Sequence, residues 1–215
     1  MSDEATLRVS EIFHSLQGET SRAGLPTVFV RLTGCPARCV YCDTAYAFQG
    51  GERLTITDIL AQLAPFATPY VTLTGGEPLA QREALSLLIA MCDAGYNVSL
   101  ETGGMLDISV VDTRVSRIVD IKTPGSGEMA KNHWENLTHL TDRDEVKFVI
   151  TSEEDYCWSR ELIREHHLAA RCPILFSPVH GSNATEMAEW ILRDRLPVRL
   201  QVQLHKILWG EAKGH

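Results

Sequence analysis

No apolar run in the 215 residues approaches the roughly 18 residues that a membrane-spanning helix needs. Basic tracts are missing too: 20 lysines and arginines stand against 28 acidic residues, a formal charge of −8, and none cluster into a track for a polyanion. Direct nucleic-acid binding is therefore not expected. The opening MSDEATLRVSEIF lacks a basic start, an apolar core and a small-residue cleavage site, so the expectation is a soluble, cytoplasmic chain. No fixed-period repeat or low-complexity segment occurs. A second CxxC pair is absent as well, which removes the usual way of completing a four-ligand structural zinc site. In a reducing compartment, clustered cysteines read as metal ligands or catalytic groups rather than disulfides.

What is present is a 44% hydrophobic chain, enough for one substantial core and a single domain over residues 1–215. Short β-branched runs predict strands at 7–13, 27–32, 70–74, 97–102, 117–122, 145–150, 174–178 and 198–204. Helical patterns fall between several of them. Thr57 can cap a helix running to about Ala67, residues 83–94 repeat apolar positions, 153–167 follow a Ser152 cap, and Ser182 or Asn183 can open a helix to about Arg193. Alternation of this kind predicts crossover units and a largely parallel sheet, with ligands at the carboxyl ends of the strands. Segments 103–116 and 123–144 are weakly helical, so two crossovers are expected to be short or missing. The expected fold is an α/β, incomplete TIM-type barrel.

GCPARCVYCDTAY, residues 34–46, carries the chemistry. Cys35, Cys39 and Cys42 have a spacing that would also line one face of a helix as a buried apolar stripe. Gly34 and Pro36 bracket the first cysteine directly after a strand, which favours a loop. Zinc would need a fourth ligand, such as His14 or His133, brought in by folding. A four-iron, four-sulfur cluster held by three thiolates leaves one iron open, where a small molecule with an amine and a carboxylate can chelate. Cys92, Cys157 and Cys172 share no motif and read as small core residues.

Two further stretches look ligand-facing. TLTGGEP (72–78) ends a strand with Gly75 and Gly76, which allow close backbone approach, and places Thr74 towards a substrate; ETGG (101–104) ends the next strand with Glu101 and Thr102, or is an ordinary strand-to-loop turn. In HSLQGETSRAGLPTVFVRLTGC (14–35), Gln17 offers an amide pair and Arg31 a planar fork, suited to a heterocycle edge and a carboxylate; surface polarity is the other reading.

The C-x3-C-x2-C loop, with Tyr41 before its last cysteine and the glycine motif downstream, resembles that of the radical S-adenosylmethionine (SAM) enzymes. Together with the 14–35 stretch, CDT, DIKTPGSGE, FSPVHG and QLHKILWG, the chain is similar over nearly its whole length to the 7-carboxy-7-deazaguanine synthase family. The resemblance implies a 4Fe–4S cluster, SAM and Mg2+, and conversion of 6-carboxy-5,6,7,8-tetrahydropterin to 7-carboxy-7-deazaguanine by radical-mediated ring contraction with loss of ammonia, in queuosine and 7-deazapurine biosynthesis. It further implies that Cys35, Cys39 and Cys42 bind the cluster, that Thr44 helps bind magnesium, and that Leu16, Gln17, Gly18, Arg31, Thr74 and His205 meet the substrate. Tyr41, Cys42, Asp43, Gly75, Gly76 and Glu101 would meet the cofactor. So would Ser177, Pro178, Val179 and His180, and also Lys122, Thr123 and Pro124, where many relatives read Ser-Pro-Lys. A flavodoxin or ferredoxin donor and a homodimer are implied in the same way. The rivals are a glycyl-radical enzyme activating enzyme, which would expose a groove, and a non-catalytic iron–sulfur carrier or zinc adaptor, which would need no glycine turn.

Overall fold

In PTVFVRL, Val28, Val30 and Leu32 face one side of an extended chain while Phe29 and Arg31 face the other, as a strand dictates. The computed structural model describes residues 5–212 and 214. Repeats of this pattern build its sheet. β1 (Thr6–Leu16) pairs antiparallel with β2 (Pro26–Leu32) and with β3 (Glu52–Thr55). From β2 onward the pairing is parallel through β4 (Tyr70–Gly75), β5 (Asn97–Thr102), β6 (Ser116–Asp120), β7 (Glu145–Ile150), β8 (Ile174–Pro178) and β9 (Arg199–Leu200). The order is β3-β1-β2-β4-β5-β6-β7-β8-β9. Its end strands do not pair, so the barrel stays open, as expected.

Helices cover the outer face. α1 (Ile56–Leu63) and α2 (Ala84–Asp93) bring Ile59, Leu63, Leu87, Leu88 and Met91 against Val28, Val30, Leu32, Val71, Leu73, Val98 and Leu100. α3 (Glu153–Glu165) and α4 (Ala184–Asp194) bring Tyr156, Ile163 and Met187 against Val146, Phe148, Ile150, Ile174 and Phe176. Each such side chain, taken from water, contributes about 1.5–3 kcal/mol. Cys92 and Cys157 pack against these cores and Cys172 lies within the second, as small core residues do. With the apolar set turned outward, the alternate residues Arg31, Thr74, Glu101, Asp120, Lys147 and Ser177 are left to line the interior.

The two weak crossovers contain no α-helix. Between β6 and β7 there are three short 3-10 turns, Pro124–Ser126, Met129–Lys131 and Trp134–His139. Irregular backbone must find other hydrogen-bond partners. Buried Asn136 supplies them: its Nδ2 donates to the carbonyls of Gly104 and Leu106, and its Oδ1 accepts from the Ile108 amide. Arg117 and Asp144 form a buried pair beneath, with Nε to Oδ1 at 2.9 Å, and Arg117 also donates to the Ile108 and His139 carbonyls.

Several boundaries differ from expectation. α1 starts two residues early because Thr55 and Asp58 close a reciprocal capping box. β3 has no counterpart among the expected strands; it is four residues long and depends on long-range pairing with β1. The expected strand 198–204 shrinks to Arg199–Leu200, because the Leu204 amide leaves the ladder to bond the Gly18 carbonyl at 2.9 Å. Residues Leu204–Trp209 form helix α5 instead.

Candidate active site

The open barrel encloses a cavity of about 440 Å3. Its rim is the loop after β2. Cys35, Cys39 and Cys42 are each partly buried and all three line the cavity, in a loop and not a helical stripe. The loop is pinned: Arg38 donates to the Cys35 and Ala37 carbonyls and lies over the Phe48 ring at 4.2 Å, Lys131 donates to the Pro36 carbonyl, and the Val40 amide bonds Ser126. Burial pushes the Cys35 and Cys39 thiols up, partly offset at both by the Lys122 ammonium. Neither His14 nor His133 lines the cavity. Among the described residues, no group of three or more His, Cys, Asp or Glu side chains is arranged to hold a single metal ion.

The glycine motif packs on this loop. A Cβ at Gly76 would lie 2.2 Å from the Gly34 carbonyl oxygen and 2.8 Å from the Cys35 Cβ. The Gly76 amide donates to Leu32 and the Glu77 amide to Gly34. Both glycines line the cavity, yet the space that glycine frees at 76 is taken by the cysteine loop. Glu77 is fully buried and burial raises its pKa, although it accepts from the Thr102 hydroxyl and the Gly103 amide.

The floor is the loop from Gln17 to Leu25, which crosses the interior from β1 towards β7. Gln17 Nε2 donates to Glu101 Oε1 at 3.2 Å, and the Thr74 hydroxyl donates to Glu101 Oε2 at 2.8 Å. Burial outweighs the nearby Lys147 and raises the Glu101 pKa. Further along, the Ser21 amide and hydroxyl bond Glu145 at the start of β7. Between these anchors Thr20 is buried with φ at 67°, a strained setting for a β-branched residue.

On the β1–β2 side, Phe13 and Phe29 stack at 5.0 Å, and Arg31 Nε donates to Glu11 Oε1 at 2.7 Å. The Tyr46 hydroxyl donates to the same oxygen. The other wall is the segment leading into α5. Gln203 Nε2 donates to Glu19 Oε1 at 2.9 Å and to Asp43 Oδ2 at 3.4 Å, while His205 packs on Gly18. Burial lowers the His205 pKa, which favours the neutral imidazole.

Most residues singled out in the sequence meet at this one space: Leu16, Gln17, Gly18, Arg31, Tyr41, Asp43, Thr44, Thr74, Glu101, Lys122, Ser177, Pro178, Val179, His180 and His205 line it with the cysteines and glycines. Thr123 and Pro124 do not. Thr123 is fully buried with its hydroxyl on the Val149 carbonyl, and Pro124 opens a 3-10 turn. Sequence reasoning missed Glu19, Asp120, Lys147 and Gln203, all of which line the cavity. A lysine alternating with Val146 and Phe148 in a buried parallel strand is a signal for inward charge, and Glu19 lies inside a motif already singled out.

Several interior polar atoms have no hydrogen-bond partner among the described residues: Asp120 Oδ1 and the Tyr41 and Ser177 hydroxyls. Buried polar groups are normally paired, so these await ligand atoms. Three thiols on a pinned loop beside such atoms fit an iron–sulfur cluster with a polar ligand.

A parallel, unclosed barrel with three thiols after its first parallel strand defines a radical SAM protein, and the signature of the Radical SAM superfamily matches residues 29–121. The chain is 49% identical to the 7-carboxy-7-deazaguanine synthase of Chlorobaculum tepidum, covering 100% of both sequences. It is 40% identical to that of Koribacter versatilis, over 97% of this chain and 100% of the relative. It is therefore a radical SAM enzyme of the 7-carboxy-7-deazaguanine synthase family, and membership implies a 4Fe–4S cluster and SAM. Among solved structures, QueE from Escherichia coli shares the fold with a TM-score of 0.78 at 24% identity, over 93% of this chain and 95% of that one. SuiB from Streptococcus suis gives 0.59 at 13% identity, over 79% of this chain and 46% of that one. Among the described residues no helix is long and apolar enough to cross a membrane.

Proposed function

We propose that the chain converts 6-carboxy-5,6,7,8-tetrahydropterin to 7-carboxy-7-deazaguanine, with loss of ammonia, in the formation of queuosine and related 7-deazapurines. The observation that carries this reading is the joining of the cysteine rim to the Gln17–Glu19 floor and Arg31 in one cavity of about 440 Å3, within the usual size range of a small-molecule site. An activating enzyme for a protein radical would need an open groove, and the α5 segment walls this site instead.

Cys35, Cys39 and Cys42 would hold the cluster. When bound, the cluster and SAM supply the one-electron, hydrogen-abstracting chemistry. Everything else falls to the chain's own side chains. Tyr41, Asp43, Gly75, Gly76, Lys122 and Ser177 to His180 border the SAM side. Glu101 meets the cofactor, held by Gln17 and Thr74; Gln17, Gly18 and Thr74 orient the pterin from below, with Leu16 beside them and His205 closing from the tail. Arg31 keeps its guanidinium for the substrate carboxylate, steadied at Nε by Glu11. Thr44 lines the cavity with its Oγ1 3.8 Å from Cys42 Sγ. Thr44 would help hold a magnesium ion, which would supply Lewis-acid stabilisation of the substrate. The chain acts as one domain over residues 1–215, as a cytoplasmic homodimer reduced by a flavodoxin or ferredoxin.

The test is anaerobic incubation of cluster-loaded protein with dithionite, SAM, magnesium and the carboxytetrahydropterin. Formation of 7-carboxy-7-deazaguanine is expected; a fully loaded cluster that yields none rejects the reading.

A further inference from the structure

Lys147 is a largely buried cation that lines the cavity, with 14% of its side chain exposed. It stands on β7 with Val146 and Phe148 turned the other way into the core. Its Nζ is 2.7 Å from Glu19 Oε2 and 3.6 Å from Asp120 Oδ2. Asp120 has a nearer cation of its own in Lys122, at 3.0 Å. Among the described residues Glu19 has no other cation within ion-pair distance, and its second oxygen accepts from the neutral Gln203 amide at 2.9 Å. A carboxylate offers about four acceptor positions. Two are engaged, and since Glu19 lines the cavity, acceptor positions remain for a ligand there.

We propose that Lys147 is a positioning residue: by clamping Glu19 against Gln203 it keeps an ionised carboxylate on the cavity floor as the acceptor for the paired N–H donors of a 2-amino-4-oxo heterocycle. This inference rests on the proposed pterin substrate and assigns its ring edge to Glu19 and, through it, to Lys147. The electrostatics agree. Burial alone would raise the Glu19 pKa, but Lys147, together with the Gln203 hydrogen bond and His205, outweighs it and holds the carboxyl at about 2. Glu101, lacking so close a cation, goes the opposite way. The floor thus sets side by side two carboxyl groups whose pKa values move in opposite directions.

The charged or titratable groups around Lys147 are Glu19 from the floor loop, Glu101 from β5, Asp120 from β6, Lys122 beyond it, Tyr41 from the cysteine loop and His205 from α5. Lys147→Met keeps the unbranched shape and removes the charge. Asp120 then retains Lys122, while Glu19 keeps its burial without its cation, so its pKa rises. Affinity for the pterin should fall as pH drops through that new value. In the wild type, with Glu19 at about 2, this group adds no pH dependence near neutrality.

The experiment compares wild type, K147M, K147R and E19Q after anaerobic reconstitution, reading iron content, the SAM-induced change in the reduced cluster's electron paramagnetic resonance (EPR) spectrum, pterin binding by calorimetry, and the pH profile of kcat/KM. K147M is expected to keep cluster and SAM signals, to raise the pterin Kd and KM about tenfold, the scale of one lost charge-assisted hydrogen bond, and to regain kcat/KM as pH rises. K147R should recover most of the affinity, and E19Q should show the same loss without the pH recovery. K147M that binds pterin as wild type does, with an unshifted profile, overturns the inference and leaves the functional reading standing. Wild type that forms no product rejects that reading, and the inference with it. Should K147M fail to load a cluster, E19Q decides: unchanged pterin affinity in that variant overturns the inference.

Discussion

A methyl group on Gly76 would lie 2.2 Å from the carbonyl oxygen of Gly34. The glycine turn after β4 and the loop that carries Cys35 are therefore one packed unit, tied further by the Gly76 and Glu77 amides on Leu32 and Gly34. Gly76→Ala should force them apart at a cost of about 1–3 kcal/mol, the usual range for overpacking. Iron per chain after anaerobic reconstitution should fall together with Tm. Full iron loading at wild-type Tm would show that the loop yields freely.

Gly18 makes the corresponding contact with the tail. A Cβ there would lie 2.2 Å from His205 Nδ1, and the Gly18 carbonyl accepts the Leu204 amide. Gly18→Ala should dislodge α5 and expose residues near 201–211 to limited proteolysis while leaving iron content unchanged. Resistance equal to wild type would contradict the docking.

Arg31 and the cysteine loop make separable contributions. Arg31→Ala removes a charged fork, so pterin affinity should weaken about 10- to 100-fold, as expected from the loss of 1.5–3 kcal/mol. Cluster loading should not change, because the ion pair of Arg31 is with Glu11 on β1 and the backbone bonds that pin the cysteine loop come from Arg38, Lys131 and Val40. Loss of the cluster in this variant would contradict its assignment to substrate.

Arg117 and Asp144 stabilise the stretch where crossover helices are missing. Burial would raise the Asp144 pKa, but the Arg117 guanidinium and the Thr141 amide hold it below the usual carboxylate range. A depressed folded-state pKa stabilises the fold above the ordinary value of about 4 and is lost as pH falls below it. Asp144→Asn strands a buried guanidinium, at a cost of about 3–5 kcal/mol. Urea denaturation should show that loss at pH 7 and a smaller difference from wild type in acid; a constant difference across pH would argue against the pair.

The sequence made the rim and the strand ends legible because a single residue type in a fixed pattern reports them: three thiols after a β-branched run, paired glycines before a helix, Gln17 before a turn. The interior charges were harder to see. Lys147 and Asp120 sit in strands whose apolar partners serve the outer core, so their direction becomes evident only when the alternation is followed residue by residue. Thr123 and Pro124 follow β6 in the chain but turn away from the cavity because the 3-10 turn after Asp120 needs them. The 198–204 stretch has β-branched residues but follows β8 only as far as the Gln201 amide on the Phe176 carbonyl, since Leu204 is committed to Gly18. Such long-range commitments leave no periodic trace.

The most direct measurement is the EPR spectrum of the dithionite-reduced cluster with and without SAM. Three thiolates and one iron free of protein ligands require the g-values to change when SAM is added. An unchanged spectrum from fully loaded protein, or zinc in place of iron after anaerobic preparation, would contradict the assignment of Cys35, Cys39 and Cys42.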